Sequence, residues 1–250
     1  MAVGDVPIRA SAHCLYLDPH HFPCANKGSV MKRLQTALLL VSLLIMSACK
    51  NDPLSGADDP KSDTWSIDFV GPSFMQGWIE QITVADIQGR LIRGPSGGGL
   101  GANNQALDKE YARGWEHEIG NVYTMTGADL PKLVYVRWQS IIEQTTYSGW
   151  VNISENARSI MRGSTARRCP AWPEQQASYY ASLTLGLAPG GVIRVWVQDN
   201  CSNFVLVDQG QAQVEPLGPD QGRNQGRYAY PIDENSKRYV ERWGIPYGSW

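Results

Sequence analysis

Histidine is scarce in this sequence of 250 residues, which contains only His13, His20, His21 and His117. A Ser-His-Asp triad or a multi-histidine metal site needs histidines that the fold can bring together with other reactive groups. Beyond position 21 the chain can supply one histidine at most. We therefore expect a protein that is not an enzyme and that holds no cofactor or metal.

An excess of positive charge is also missing. The chain has 22 Lys and Arg against 24 Asp and Glu, a formal net charge of −2. Residues 1–48 carry four of the cations and two of the anions, so residues 49–250 have 22 − 4 = 18 cations, 24 − 2 = 22 anions and a net charge of −4. Because nucleic-acid-binding domains present basic surfaces, we expect no nucleic-acid partner.

The chain lacks an apolar run of about 20 residues, the length that a transmembrane helix needs. The most apolar segment, residues 34–48, has 15 residues and is followed at once by the polar sequence KNDP at 50–53. This length is short for the alternative, a transmembrane helix, and favours a signal sequence.

The segment 31–48 has the parts of a bacterial lipoprotein signal peptide. Lys32 and Arg33 provide a positive start, residues 37–46 (ALLLVSLLIM) provide the apolar core, and two small residues precede Cys49. We predict cleavage before Cys49 and lipidation of its sulfur, with palmitate among the attached fatty acids. A plain secretory signal with an incidental Cys49 is the alternative.

This signal predicts a lipid-anchored protein that faces the periplasm, with the membrane as one partner through the lipid. Lys50, which follows the lipidated cysteine, favours the outer membrane. Residues 1–30, upstream of the signal, contain Cys14 and Cys24 but match no paired zinc-ligand spacing. We interpret them as a start-site artefact, with translation beginning at Met31.

Two cysteines, Cys169 and Cys201, remain in the predicted mature chain besides Cys49. In an oxidising compartment an even pair favours a disulfide. Two separate thiols are the alternative.

Residues 49–63 are polar and rich in Pro, Asp and Ser, so we predict a flexible tether that leads into one domain over 64–250. About eight short stretches of the domain have strand patterns, and no regular alternation of strand and helix occurs. We predict an α+β fold: an antiparallel, β-dominated, sandwich-like domain with two short helices. The strand predictions cover residues 65–70, 78–93 (two strands), 115–126, 132–139, 141–151, 179–187, 191–198 and 204–214.

Local signals define turns and helix ends within this domain. We predict a turn near 147–149, a helix over 152–161 capped by Asn152, and a second helix that begins after Asp233 and ends at Gly244.

Ser96 lies in a G-x-S-x-G match, but Pro95 precedes it and a glycine-rich loop follows it. A nucleophile elbow needs a strand before the serine and a helix after it, so we reject a catalytic Ser96.

Two segments of the sequence, which we call the motif lines, resemble a known family: residues 130–144 (LPKLVYVRWQSIIEQ) and residues 186–196 (GLAPGGVIRVW). Together they resemble an uncharacterised family of Gram-negative lipoproteins, over residues 64–214. The motif residues have the character of turn, core and strand-edge positions, and the resemblance brings no catalytic residues. They are Pro131, Trp138, Ser140, Glu143, Pro189, Gly190, Gly191 and Trp196.

Some members of such families are encoded beside phospholipase effectors of type VI secretion and act as their immunity proteins. The resemblance therefore implies a lipid-anchored immunity protein that binds and inhibits a toxic phospholipase. Exposed loops at 94–104 and 221–228 are our candidates for the contact, which would involve Ser96, Asn103, Asn104, Arg223, Arg227 and Tyr228. A glycan-binding or assembly lipoprotein of the envelope, with exposed tryptophans, is the alternative.

Overall fold

A computed structural model describes residues 52–101, 113–115, 121–163, 166–179 and 181–250 of the chain. Within these ranges it contains eleven strands in two packed sheets and two α-helices. The predicted sandwich-like α+β fold is confirmed. In the same ranges, no helix combines the length and hydrophobicity that crossing a membrane would require.

The first sheet has five strands in the order β10-β9-β8-β1-β5. Its neighbours pair antiparallel except β1 and β8, which are parallel. Gly190 and Gly191, both at positive φ, turn the chain between β8 and β9. The strands are β1 (Trp65–Val70), β5 (Asn121–Met125), β8 (Ala181–Ala188), β9 (Val192–Gln198) and β10 (Phe204–Gln211).

The second sheet has the order β11-β7-β6-β2-β3, with the short β4 also paired to β2, and all its pairs are antiparallel. The chain crosses from the first sheet to the second at the buried Ala212, between β10 and β11. The strands are β2 (Gly77–Asp86), β3 (Leu91–Arg93), β4 (Gly99–Leu100), β6 (Pro131–Ser140), β7 (Thr145–Asn152) and β11 (Gln213–Val214).

Alternating apolar side chains of both sheets form one core between them. In β6, Val134, Val136 and Trp138 share one face of the strand and are all buried. The outward-facing Arg137 is buried as well, although alternation alone assigns it to a solvent-facing surface. Another segment of the chain therefore covers part of the outer face of the second sheet. The site described below lies between that segment and the sheet.

The two helices are α1 (Glu155–Met161) and α2 (Glu234–Trp243). The prediction for α2 is confirmed, because the Asp233 side chain caps its first turn and the helix ends at Gly244. The predicted cap of α1 is wrong. Asn152 still belongs to β7, and Ser154 accepts the capping hydrogen bond from the Ala157 N–H instead.

The predicted turn at 147–149 is also wrong. The turn lies at residues 141–144, and β7 runs without interruption through Tyr147 and Gly149. Pairing with β6 overrides the local turn preference of this segment. Gly149 is needed for another reason: a Cβ there would lie 3.0 Å from the Cα of Ala212, where β11 approaches.

The predicted flexible tether needs correction over residues 52–59, which pack onto the domain. Ser55 forms a β-bridge with Arg167, and the buried Asp59 accepts hydrogen bonds from Arg168 and from the Ala177 N–H. Local composition alone did not reveal this, because the partners lie more than 100 positions away.

Candidate functional site

A cleft of about 470 Å³ opens on the outer face of the second sheet. Ser96 and Gly97 line one side, and Asp220, Asn224 and Ala229 line the other. Its floor consists of side chains from two neighbouring strands: Trp78 and Glu80 of β2, and Gln139 of β6. The cleft thus joins the two loops that the sequence identified as candidate contact segments.

Glu80 organises the floor of the cleft. Its carboxylate accepts hydrogen bonds from Arg137 Nε at 2.6 Å, from Gln139 Nε2 at 2.7 Å and from the Asp220 N–H at 2.6 Å. The side chains of Glu80 and Arg137 are 5% and 3% exposed, so this ion pair is almost fully removed from water. Breaking one partner of such a pair is strongly destabilising, because the other charge remains buried.

Gln139 completes the attachment of the loop over residues 220–229 to the sheet. Its Oε1 accepts a hydrogen bond of 2.7 Å from the Ala229 N–H, while its amide nitrogen binds Glu80. Two buried side chains thereby hold both ends of the segment from Asp220 to Ala229 through its backbone. Farther along the chain, the Tyr230 hydroxyl donates to the Gly77 carbonyl at 2.6 Å.

The segment between these attachments has an unusual backbone. Asp220, Gln221 and Gln225 all have positive φ, between 50° and 55°. For residues with a Cβ this left-handed conformation is uncommon and costs free energy. Such conformations persist where the surroundings enforce them, and they concentrate at binding sites.

The structure places one of the six predicted contact residues, Ser96, in the wall of this cleft, and three others, Arg223, Arg227 and Tyr228, on the loop that forms the opposite wall. Ser96 is exposed at the cleft wall, and Arg223 is exposed at the loop tip, where it donates to the Asp220 carboxylate at 2.7 Å. The exposed Arg227 donates to the Asn224 carbonyl. Tyr228 is half-buried and donates to the Gln144 carbonyl; burial raises the pKa of this phenol.

Three predicted residues lie outside the described residues: Asn103 and Asn104 of the first loop, and the lipidation residue Cys49.

Cys169 and Cys201 do form a disulfide, as predicted. Within the described part of the chain, no cluster of three or more His, Cys, Asp or Glu side chains is arranged to bind a metal ion.

A groove beside the cleft contains residues that the sequence did not single out. Four side chains stand in one cross-strand row: Arg93 opposes Thr83, Thr83 opposes Tyr135, and Tyr135 opposes Trp150. The Tyr135 and Trp150 rings lie 5.3 Å apart. Gln221 of the cleft loop also lines this groove. Alternation along residues 132–139 puts Tyr135 on the face opposite to Val134 and Val136, but strand order is needed to align the other three residues of the row with it.

Two of the family-motif residues, Glu143 and Gly190, are joined by a hydrogen bond at the β6–β7 turn. Glu143 accepts hydrogen bonds from the Gly190 N–H and from the hydroxyls of Tyr147 and Tyr247. Burial, followed by the charge and hydrogen bond of Glu143, raises the pKa of Tyr147 well above its ordinary value. Partial burial and the same carboxylate raise the pKa of Tyr247 to about 12. Trp138, Ser140 and Trp196 are buried, in keeping with their predicted structural character.

These features occur in a chain that matches a known but uncharacterised family over most of its length. The model of the family described as "Protein of unknown function (DUF2931)" matches residues 48–248. The chain therefore belongs to this family. Comparisons with curated proteins and with solved structures found no match.

Proposed function

We propose that this protein is a lipid-anchored immunity protein that faces the periplasm and inhibits a toxic phospholipase delivered by type VI secretion. The observation that carries the binding role is the convergence of Ser96 and the 220–229 loop around one cleft, on a rigid sheet. The phospholipase as target comes from the family resemblance of the two motif lines.

The chemistry of the cleft supports binding over catalysis. The carboxylate of Glu80 is engaged by Arg137, Gln139 and the Asp220 N–H, and the Asp220 carboxylate is engaged by Arg223. These acids hold the loop in place and offer no free acid/base pair. Exposed arginines on a pre-organised loop, by contrast, are typical anchors of tight protein complexes.

The proposed location agrees with two independent features. The signal ending at Cys49 predicts a lipid anchor, and the Cys169–Cys201 disulfide is the kind of crosslink that persists in oxidising compartments. An anchored inhibitor is held at the membrane surface where a phospholipase acts. Its effective concentration there exceeds its average concentration, which favours capture of the toxin.

The test is co-expression with the product of the adjacent reading frame, which we expect to be a lipase, directed to the periplasm. We expect survival with this protein and lysis without it. Arg223→Glu with Arg227→Glu should weaken binding of the purified lipase about 30-fold, which corresponds to about 2 kcal/mol. Arg238→Glu is the matched control, because Arg238 is an exposed arginine on α2, away from the loop.

Equal toxicity in cultures with and without this protein would refute the inhibitory function. Equal binding by the loop variant and the Arg238 variant would refute the cleft as its site. Lipidation is tested separately: Cys49→Ser should abolish palmitate incorporation and leave an uncleaved precursor.

A second candidate function is binding of an envelope glycan. The observation that favours it is the exposed Trp150 beside Tyr135 on the outer sheet face, because exposed aromatic rings are suited to stacking on sugars. It is the alternative that the tryptophan content of the sequence already raised.

A further inference from the structure

The cross-strand row Arg93–Thr83–Tyr135–Trp150 has the dimensions of a binding groove. It spans three inter-strand spacings, about 14 Å at the usual strand separation. A cavity of about 470 Å³ lies over it, within the range typical of ligand sites. Because the four strands are paired to one another, the row is presented by a rigid surface.

One end of the row is aromatic and open. Trp150 is 47% exposed although it is a tryptophan inside a strand, and Tyr135 is half-buried beside it. A pyranose ring presents a face of C–H groups, whose positive polarisation matches the negative face of an aromatic ring. The Trp150 end is therefore suited to stack on a sugar.

The middle of the row supplies uncharged hydrogen-bonding groups. Gln81 Nε2 lies 3.3 Å from Thr83 Oγ1, and Gln221 closes the groove from the cleft loop. Amide and hydroxyl groups of this kind can both donate and accept, as sugar hydroxyls require.

The other end of the row carries a cation. Arg93 is exposed and forms no ion pair within the part of the chain that the structure describes. A free guanidinium is suited to bind a carboxylate through two parallel hydrogen bonds. A single arginine favours one carboxylate over a densely charged polyanion.

From these features we infer that the groove binds an acidic oligosaccharide, with one sugar ring stacked on Trp150 and a carboxylate on Arg93. The length of the row exceeds one sugar ring, so the ligand has at least two. This inference rests on the second candidate function, glycan binding, and is independent of toxin inhibition.

An acidic peptide fits the groove less well. Extended peptides usually bind by pairing with a free sheet edge. This row crosses the face of the sheet, where the backbone groups of β2 and β6 are already paired. A helical partner would need a continuous apolar stripe, whereas half of this row is polar.

The test is calorimetric titration of the full-length protein, purified in mild detergent, with two tetrasaccharides. One is a hyaluronan tetrasaccharide, which contains glucuronic acid and N-acetylglucosamine, and the other is the fully N-acetylated chitotetraose, which is neutral. We expect the acidic sugar to bind about tenfold more tightly, the gain of a charge-assisted bidentate contact. Arg93→Gln should remove this preference by weakening binding of the hyaluronan tetrasaccharide about tenfold.

Trp150→Ala should weaken binding of both sugars about tenfold or more. Trp150→Phe should retain most of the affinity, which separates loss of the ring from loss of the fold. Trp172→Ala is the matched control, because Trp172 is 51% exposed against 47% for Trp150 but lies outside the groove. It should leave both affinities unchanged.

Equal affinity for the two sugars would overturn the acidic specificity while leaving glycan binding intact. Absence of binding by either sugar would overturn both the inference and the second candidate function, without bearing on the toxicity experiment. Binding of a tetraglutamate peptide in place of the sugars, with the same dependence on Arg93 and Trp150, would identify the occupant as a peptide and overturn the inference.

Discussion

The N–H of Gly190 donates a hydrogen bond of 3.0 Å to the Glu143 carboxylate, across 47 positions of the sequence. Glu143 follows β6 in the second sheet, and Gly190 turns the chain between β8 and β9 in the first. Tyr247, near the C-terminus, donates to the same oxygen at 2.8 Å. One carboxylate therefore joins both motif lines of the family and holds the C-terminal segment against them.

Replacing Glu143 by Leu should destabilise the domain by about 1–3 kcal/mol, because the donors it accepts from are left without an acceptor. Glu143→Gln keeps one carbonyl oxygen and should recover part of this loss. Urea unfolding measures the stability of both variants. The exposed Glu241 is the control, and Glu241→Leu should change stability by no more than about 0.5 kcal/mol. Equal stability of all three variants would show that the Glu143 contacts contribute nothing.

The tyrosines around this carboxylate make stability sensitive to alkaline pH. Tyr247 has a folded pKa of about 12 against about 10 in the unfolded chain, so between these values the folded protein retains a proton that the unfolded chain releases. The contribution of Tyr247 to folding stability is fully present below pH 10 and is lost as the pH rises through 12. Tyr247→Phe should reduce the fall in stability across this window, measured by urea unfolding at several pH values. An unchanged slope would contradict the assignment.

Strand positions were largely predictable because alternation is a local signal. Residues 132–139 correspond to β6 within one position at each end, and 65–70 correspond to β1. The turn at 141–144 was missed because Tyr147-Ser148-Gly149 has equally good turn residues, and only pairing with β6 decides between them.

The candidate site was predictable in its parts but not in its assembly. Loop composition identified Ser96 and the arginines at 223 and 227. The attachment of Asp220 to Glu80 spans 140 positions and depends on strand order, which local patterns do not encode. Gln139 was missed for the same reason, since an outward polar residue on a strand ordinarily faces water.

The packing of residues 52–59 can be tested with two adjacent aspartates. Asp59 is buried against Arg168, and hydrogen bonds from Arg168 and from the Ala177 N–H lower its pKa; Asp58 is exposed. Asp59→Asn should speed hydrogen exchange of residues 52–59, and Asp58→Asn should not. Because its pKa is lowered in the folded state, Asp59 contributes to folding stability above about pH 4, and this contribution is lost on acidification. Equal exchange rates in both variants would restore the tether model for this segment.

The Cys169–Cys201 disulfide closes a loop with a sequence separation of 32. In the chain-entropy model such a crosslink contributes about 3–4 kcal/mol by restricting the unfolded chain. The double variant Cys169→Ala with Cys201→Ala should lose this amount in urea unfolding, and a reducing agent should lower the wild type to the same level. Wild-type stability in the double variant would mean that the unfolded chain gains little freedom from opening the loop.

Gln139 provides a way to loosen the cleft loop without altering its exposed surface. Gln139→Leu preserves approximate size but removes the acceptor of the Ala229 N–H and one donor to Glu80. We expect a loss of about 1–3 kcal/mol in stability and faster hydrogen exchange over residues 220–229. Gln209→Leu, at an exposed position of β10, is the control. If the loop is the contact for the toxin, Gln139→Leu should also weaken lipase binding, because a mobile loop loses more freedom on association. Faster exchange with unchanged lipase affinity would separate the two roles and exclude the loop from the interface.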